Sequence, residues 1–197
     1  MRLLIATNNV GKVREYAELL AGSGFDLCRL ADVGLDNEVE ETGETFTENA
    51  CLKARAYGQS SGLLTLADDS GLEVDALAGA PGVYSARYAG PGASDVDRIR
   101  KLLTVLDGVP WEKRKADFRC VIALAWPHGC LETFEGRCEG LIAFEPKGTN
   151  GFGFDPVFYM PEHNCTMAEL PMDVKNHISH RGRAAALVSV RLKNELR

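Results

Sequence analysis

Short apolar runs stopped by Asn, Gly and Pro alternate along the chain with longer segments whose apolar residues return every three or four positions, a pattern that predicts strands interleaved with helices. Leu3-Leu4-Ile5-Ala6 reads as a buried strand, ended at once by Asn8-Asn9 and Gly11, and Val13, Tyr16, Ala17, Leu19 and Leu20 then recur at helical spacing. Thr45 followed three residues later by Glu48 forms a capping box, which predicts a helix from about Thr45 to Ser60. Leu63 to Ala67 is a second buried strand, with Asp68-Asp69-Ser70-Gly71 expected at its exit. The stretch from Gly79 to Gly92, rich in Gly, Pro and Tyr, predicts an irregular loop or lid, followed by a helix from about Ser94 to Leu106. Phe118 to Trp126 and Leu131 to Phe144, joined through Pro127-His128-Gly129, predict a long hairpin, and Arg181 to Leu196 a closing helix. Helices and strands interleaved at both ends of a central hairpin predict an α/β fold with a mixed central sheet.

Composition narrows the class. A length of 197 residues suits a single domain, with or without a small second lobe, and 45% apolar with 25% charged residues is the balance of a soluble globular chain. A formal charge of −6 argues against broad binding to nucleic acid, which needs a basic stripe, so a small polyanion would have to be met by local cations or a metal. The N-terminal apolar run is too short for a signal peptide and no stretch approaches the ~20 residues of a membrane span, so a cytoplasmic location is expected. The six cysteines include no Cys-x-x-Cys pair and read as reduced thiols.

Four clusters carry candidate chemistry. Thr7-Asn8-Asn9-Val10-Gly11-Lys12 lies between a strand and a helix, where backbone N–H groups and the positive helix end suit a phosphate. It is no Walker A loop, since Ala6 and Val13 stand where that pattern requires Gly and Ser or Thr. Its bland alternative is a helix cap with a solvated lysine. Glu38, Glu40 and Glu41 precede Thr42-Gly43, and one of these carboxylates together with Asp68 or Asp69 could share a magnesium ion while an Asp accepts a proton from water; a solvated acidic turn is the alternative for the glutamates. Gly151-Phe152-Gly153-Phe154-Asp155 could lay a base against a ring and hydrogen-bond its edge, or be a glycine-rich turn with core phenylalanines. Lys175 to Arg183, with His177, His180 and Arg181, gathers cations at the start of the last helix, and its spacing does not suit zinc. Gly58-Gln59-Ser60-Ser61-Gly62 formally matches the serine-hydrolase elbow but sits between helix and strand, so Gly62 is read as a helix cap.

Taken in order, Thr7 to Lys12, Glu41-Thr42-Gly43, Asn49 to Ala54, Asp68 to Leu72, Gly82-Val83-Tyr84-Ser85-Ala86-Arg87, Gly151 to Asp155 and Ser179-His180-Arg181-Gly182 closely resemble the inosine triphosphate pyrophosphatase family over nearly the whole chain. The resemblance implies one nucleoside-triphosphate pyrophosphatase domain over residues 1–197. Its long-stranded α/β core and second lobe would enclose a nucleotide-binding cleft, and the protein would be a homodimer. It implies cleavage of ITP, dITP and XTP to monophosphate and pyrophosphate, with Asp69 as catalytic proton acceptor and Mg²⁺ held by Glu41 and Asp69. Thr7, Asn8, Asn9, Val10, Gly11, Lys12, Lys53 and Ser70 match the family's triphosphate contacts, and Phe152, Gly153, Phe154, Asp155, Lys175, His180 and Arg181 its substrate and base contacts. A pyrophosphatase for modified pyrimidine triphosphates and a nucleotide sensor without turnover are the rival readings.

Overall fold

The computed structural model describes residues 1–196. Seven strands form one sheet in the order β2-β1-β3-β4-β5-β6-β7, with β1 Arg2–Ile5, β2 Asp26–Arg29, β3 Leu64–Val74, β4 Lys115–Ala125, β5 Leu131–Ile142, β6 Phe158–Met160 and β7 Cys165–Thr166. The helices are α1 Val10–Leu19, α2 Phe46–Ser61, α3 Asp95–Val105, α4 Met172–Ile178 and α5 His180–Glu195. β1 pairs in parallel with both β2 and β3, whereas β5 with β6 and β6 with β7 are antiparallel, so the sheet is mixed as the pattern predicts. β4 and β5 are neighbours joined by five residues, too short for a parallel crossover, and Trp126 N–H donating to Cys130 O closes the hairpin.

The described residues gather into two compact units, one of residues 1–69, 120–136 and 181–196, the other of residues 70–119 and 137–180. In the first, Leu3, Ile5, Leu64, Leu66, Ile122 and Leu124 from the strands pack with Tyr16 and Leu20 of α1 and with Ala184, Ala185, Val188 and Leu192 of α5. These positions of α5 fall on one face at helical spacing, which is what turns that helix toward the strands. In the second, Leu72, Val74, Phe118, Ile142 and Phe158 pack with Ile99 and Leu102 of α3 and with Leu106 just after it.

Two elements differ from the sequence expectation for physical reasons. The strand expected to stop at Ala67 runs on to Val74, which places Asp68 and Asp69 inside β3 rather than at its exit. Acidic residues usually leave a sheet for water, but both carboxylates are paired with lysine ammonium groups and stay buried. The Gly79 to Gly92 stretch is less irregular than expected, since Gly82–Arg87 forms a 3₁₀ turn whose buried Ser85 hydroxyl accepts from Leu72 N–H at 2.9 Å and donates to Gly82 O at 2.7 Å. The capping box at Thr45 is present, with Thr45 Oγ1 accepting from Glu48 N–H and Glu48 Oε2 from Thr45 N–H, and Gly62 ends α2 at φ 68°.

Candidate active site

In the first unit the sequence-selected residues meet around two lysines. Lys12, in the first turn of α1, places its Nζ 3.0 Å from Asp68 Oδ2. Lys53, in the middle of α2, pairs with Glu41 and lies 3.3 Å from Asp69 Oδ1. Adjacent strand residues point to opposite faces, so consecutive aspartates in β3 can serve two different lysines. Asn49 stands one helical turn before Lys53 on the same face of α2 and is fully buried. Its Oδ1 accepts from Gly43 N–H at 2.8 Å while its Nδ2 donates to Asp69 Oδ2 at 3.3 Å, so one side chain fixes both the Glu41 segment and Asp69. The motif around Asn49 is part of the family resemblance, but its role was missed; the i, i+4 spacing to Lys53 was the available signal.

The two aspartates are electrostatically unlike. Burial raises the Asp69 carboxyl above its ordinary range; Lys53 opposes that rise, while Glu41 reinforces it. Burial acts on Asp68 in the same sense, but Lys12, Arg181 and Lys53 outweigh it and hold Asp68 ionised well below the usual carboxylate range. Lys53 is kept charged against burial by Asp69, Glu41 and Asp68. Pairs of titratable groups whose surroundings push their pKa values apart are the usual mark of divided acid–base labour.

At the N-terminus of α1, Asn9 is the N-cap and its side chain accepts from Lys12 N–H at 3.1 Å, while Thr7 Oγ1 accepts from Asn9 N–H at 3.2 Å. Thr7 is half-buried, Asn8, Asn9 and Val10 are exposed, and Gly11 is half-buried, so this turn keeps its backbone near solvent beside the lysine. Ser70, next to Asp69 in β3, is half-buried and belongs to the second unit.

Arg181 is fully enclosed in the first unit, its guanidinium bonding Glu15 Oε2 at 2.7 Å and Asp68 Oδ2 at 3.3 Å. It thus ties α5 to α1 and β3 from within, where the resemblance placed a substrate contact.

In the second unit, Asp155 Oδ2 accepts from Phe152 N–H at 2.9 Å and pairs with Lys175, and the Lys175 ammonium lies 5.1 Å from the centre of the Phe152 ring. A side chain at Gly151 would meet Asp155 Oδ2 at 2.0 Å, and its φ of 75° also favours glycine. Phe152 and Gly153 remain partly exposed, while Asp155 and Lys175 are buried beneath them. Phe154 turns inward, edge-on to Tyr88 in the core, so its ring packs rather than faces solvent. His180 is buried and stacks on Phe118 with centroids 4.6 Å apart and planes 18° from parallel.

Among the described residues no group of three or more His, Cys, Asp or Glu stands ready to cage a metal, and no helix is long and apolar enough to cross a membrane.

Comparison with known proteins agrees along almost the whole chain. A model of the Ham1 family matches residues 3–190. The dITP/XTP pyrophosphatase of Desulforamulus reducens is 56% identical over 184 residues, covering 93% of this chain and 92% of that protein. The Bacillus subtilis dITP/XTP pyrophosphatase is 49% identical, covering 94% of each. The solved structure of a HAM1 protein from Coxiella burnetii superposes with a TM-score of 0.89 at 44% identity, covering 98% of this chain and 99% of that one.

Proposed function

The chain belongs to the Ham1 family, and from that membership we propose that it is a dITP/XTP pyrophosphatase, cutting ITP, dITP and XTP between the α and β phosphates. The observation that supports this most is the convergence of Glu41 and Asp69 on one cation, Lys53, beside the second pair of Lys12 with Asp68.

Asp69 accepts the proton of the attacking water, whose oxygen bonds the α-phosphorus as pyrophosphate leaves. Asn49 holds the second oxygen of the Asp69 carboxylate and so fixes its orientation. Asp68 stays ionised and keeps Lys12 beside the N-terminus of α1, where the turn Thr7 to Lys12 and Lys53 receive phosphate charge. Catalysis of this kind is mainly positioning and electrostatics.

Mg²⁺ belongs to the same proposal, with Glu41 and Asp69 as its protein ligands. The residues fit it, since magnesium needs only one or two carboxylates and completes its shell with water and phosphate oxygens. Among the described ion pairs of this site, the four carboxylates Glu15, Glu41, Asp68 and Asp69 face the three cations Lys12, Lys53 and Arg181, so these pairs have no positive excess to offer a triphosphate. A bound divalent cation reverses that balance and offsets the phosphate charge.

The substrate base is assigned to Phe152, Gly153, Lys175 and His180, with Asp155 holding Phe152 and Lys175 in place. Donors directed at a 6-oxo group would be left unpaired by the 6-amino group of adenine, which disfavours ATP. A homodimer working on the cytoplasmic nucleotide pool completes the reading.

The test is product release from ITP, dITP, XTP, ATP and GTP with Mg²⁺, resolving pyrophosphate from orthophosphate. Pyrophosphate is expected from the inosine and xanthosine substrates and little from ATP or GTP, with turnover lost on chelation. Asp69→Asn is expected to lower kcat by about a hundredfold or more while the melting temperature holds. Orthophosphate as the only product, or near-normal turnover in Asp69→Asn, would overturn the mechanism.

A further inference from the structure

We propose that Asp95, the first residue of α3, is a positioning residue for the Gly151 to Asp155 loop, and that with Arg98 it joins this loop to the Gly82–Arg87 turn. The inference rests on the reading of that loop as the base side of the substrate site.

The start of α3 is already capped without Asp95. Ser94 is the N-cap, its Oγ accepts from Asp97 N–H at 3.2 Å, and Asp97 Oδ2 accepts in return from Ser94 N–H at 3.1 Å. Asp95 therefore has its carboxylate available for another task. Its Oδ2 accepts from Gly153 N–H at 2.7 Å, across a separation of 58 residues, and its Oδ1 pairs with Arg98. The other arm of the Arg98 guanidinium donates to Ala86 O and to Ala93 O, each at 2.8 Å. One ion pair in the first turn of a helix thus reaches three separate segments.

Gly153 is the point in the loop that most needs such a hold. Its φ is 64°, yet no heavy atom lies within 4 Å of the place a Cβ would occupy, so the glycine serves conformation and not close packing. The backbone amides of Phe152 and Gly153 are each held by a carboxylate, Asp155 from within the loop and Asp95 from outside it. Asp155 sets the local turn; Asp95 fixes that turn to α3. The Gly82 to Arg87 motif, which no catalytic role explains, gains a positioning one: Arg98 donates to its Ala86 carbonyl and so carries its position to the loop.

The experiment compares wild-type, Asp95→Ala and Asp95→Asn by steady-state hydrolysis of dITP and by amide hydrogen exchange over residues 151–155. Asp95→Ala is expected to raise KM for dITP about tenfold with kcat within about twofold, the scale of one lost charge-assisted hydrogen bond. It also speeds exchange at Gly153 while the melting temperature stays within about 4 °C of wild-type. Asp95→Asn, which keeps an acceptor oxygen, restores most of the KM and of the protection. Unchanged exchange at Gly153, or unchanged KM in a protein that does turn over dITP, overturns the clamp alone. A wild-type protein that releases no pyrophosphate from dITP overturns the functional reading, and with it the claimed effect on substrate affinity.

Discussion

At the scale of the residue, chemistry here is decided by what each buried polar group is given to hold. Cys120 is a clear case: it is enclosed beside Tyr16 and Asp68, its Sγ 3.7 Å from Asp68 Oδ2, and burial, reinforced by the Asp68 charge, pushes its thiol up to about 12. At neutral pH it is a protonated packing group, since only the thiolate reacts. Brief treatment of the native protein with a maleimide, read by peptide mass spectrometry, is expected to label exposed Cys130 first and Cys120 only after denaturation. Early labelling of Cys120 would show that its pocket opens in the native state. How legible such residues are depends on how local their partners are. Thr45 and Glu48 announce their capping box because both partners lie within one turn. Lys12 and Asp68, 56 positions apart, show only that a lysine and an acid exist; Asn49 and Asp95 show less, because their partners at Asp69 and Gly153 are set by the fold.

At the scale of the element, the pattern of apolar residues locates helices and strands well and strand ends poorly. β3 continues through Asp68-Asp69-Ser70 because its backbone stays paired in the sheet and its carboxylates find cations, and neither condition is visible in a run of polar letters. α4 and the short strands β6 and β7 escape notice since they are too short to show a period. Arg114 is the residue that closes elements upon one another in the second unit. Its buried guanidinium donates to Leu106 O just past α3 at 2.8 Å, to Ile142 O at the end of β5 at 2.7 Å, and to Ala143 O at 3.1 Å. These carbonyls stand at or just past the end of a helix or strand, on buried residues, so the arginine acts as a shared cap. Arg114→Met keeps much of the volume but removes the charged donor from Ile142 O and Ala143 O, while Leu106 O keeps only its bond from Val109 N–H. The expected loss is about 3 kcal/mol or more, read from the midpoint of urea unfolding, whereas Arg137→Met on the exposed face is expected to cost about 1 kcal/mol at most. Equal midpoints for the two variants would remove Arg114 from this role.

At the scale of the whole molecule, neither compact unit is a continuous piece of chain. The first is built from three segments and the second from two, and each of the three long strands passes from one to the other: β3 between Asp69 and Ser70, β4 between Arg119 and Cys120, β5 between Gly136 and Arg137. Unfolding one unit alone would cut all three strands at their midpoints and expose frayed ends on the part left behind, which makes a half-folded state costly. The expectation is a single cooperative transition, and the chain carries its own reporters for it. Its two tryptophans fall one in each unit, Trp126 in the first and Trp111 in the second. With Trp111→Phe and Trp126→Phe each leaving one fluorophore, denaturant titrations followed by fluorescence and by circular dichroism should give coincident midpoints within each variant. In each variant the remaining fluorophore reports one unit and the circular dichroism reports both, so a fluorescence curve that leads or trails the dichroism would mean that the long strands break at those junctions before the rest of the protein unfolds.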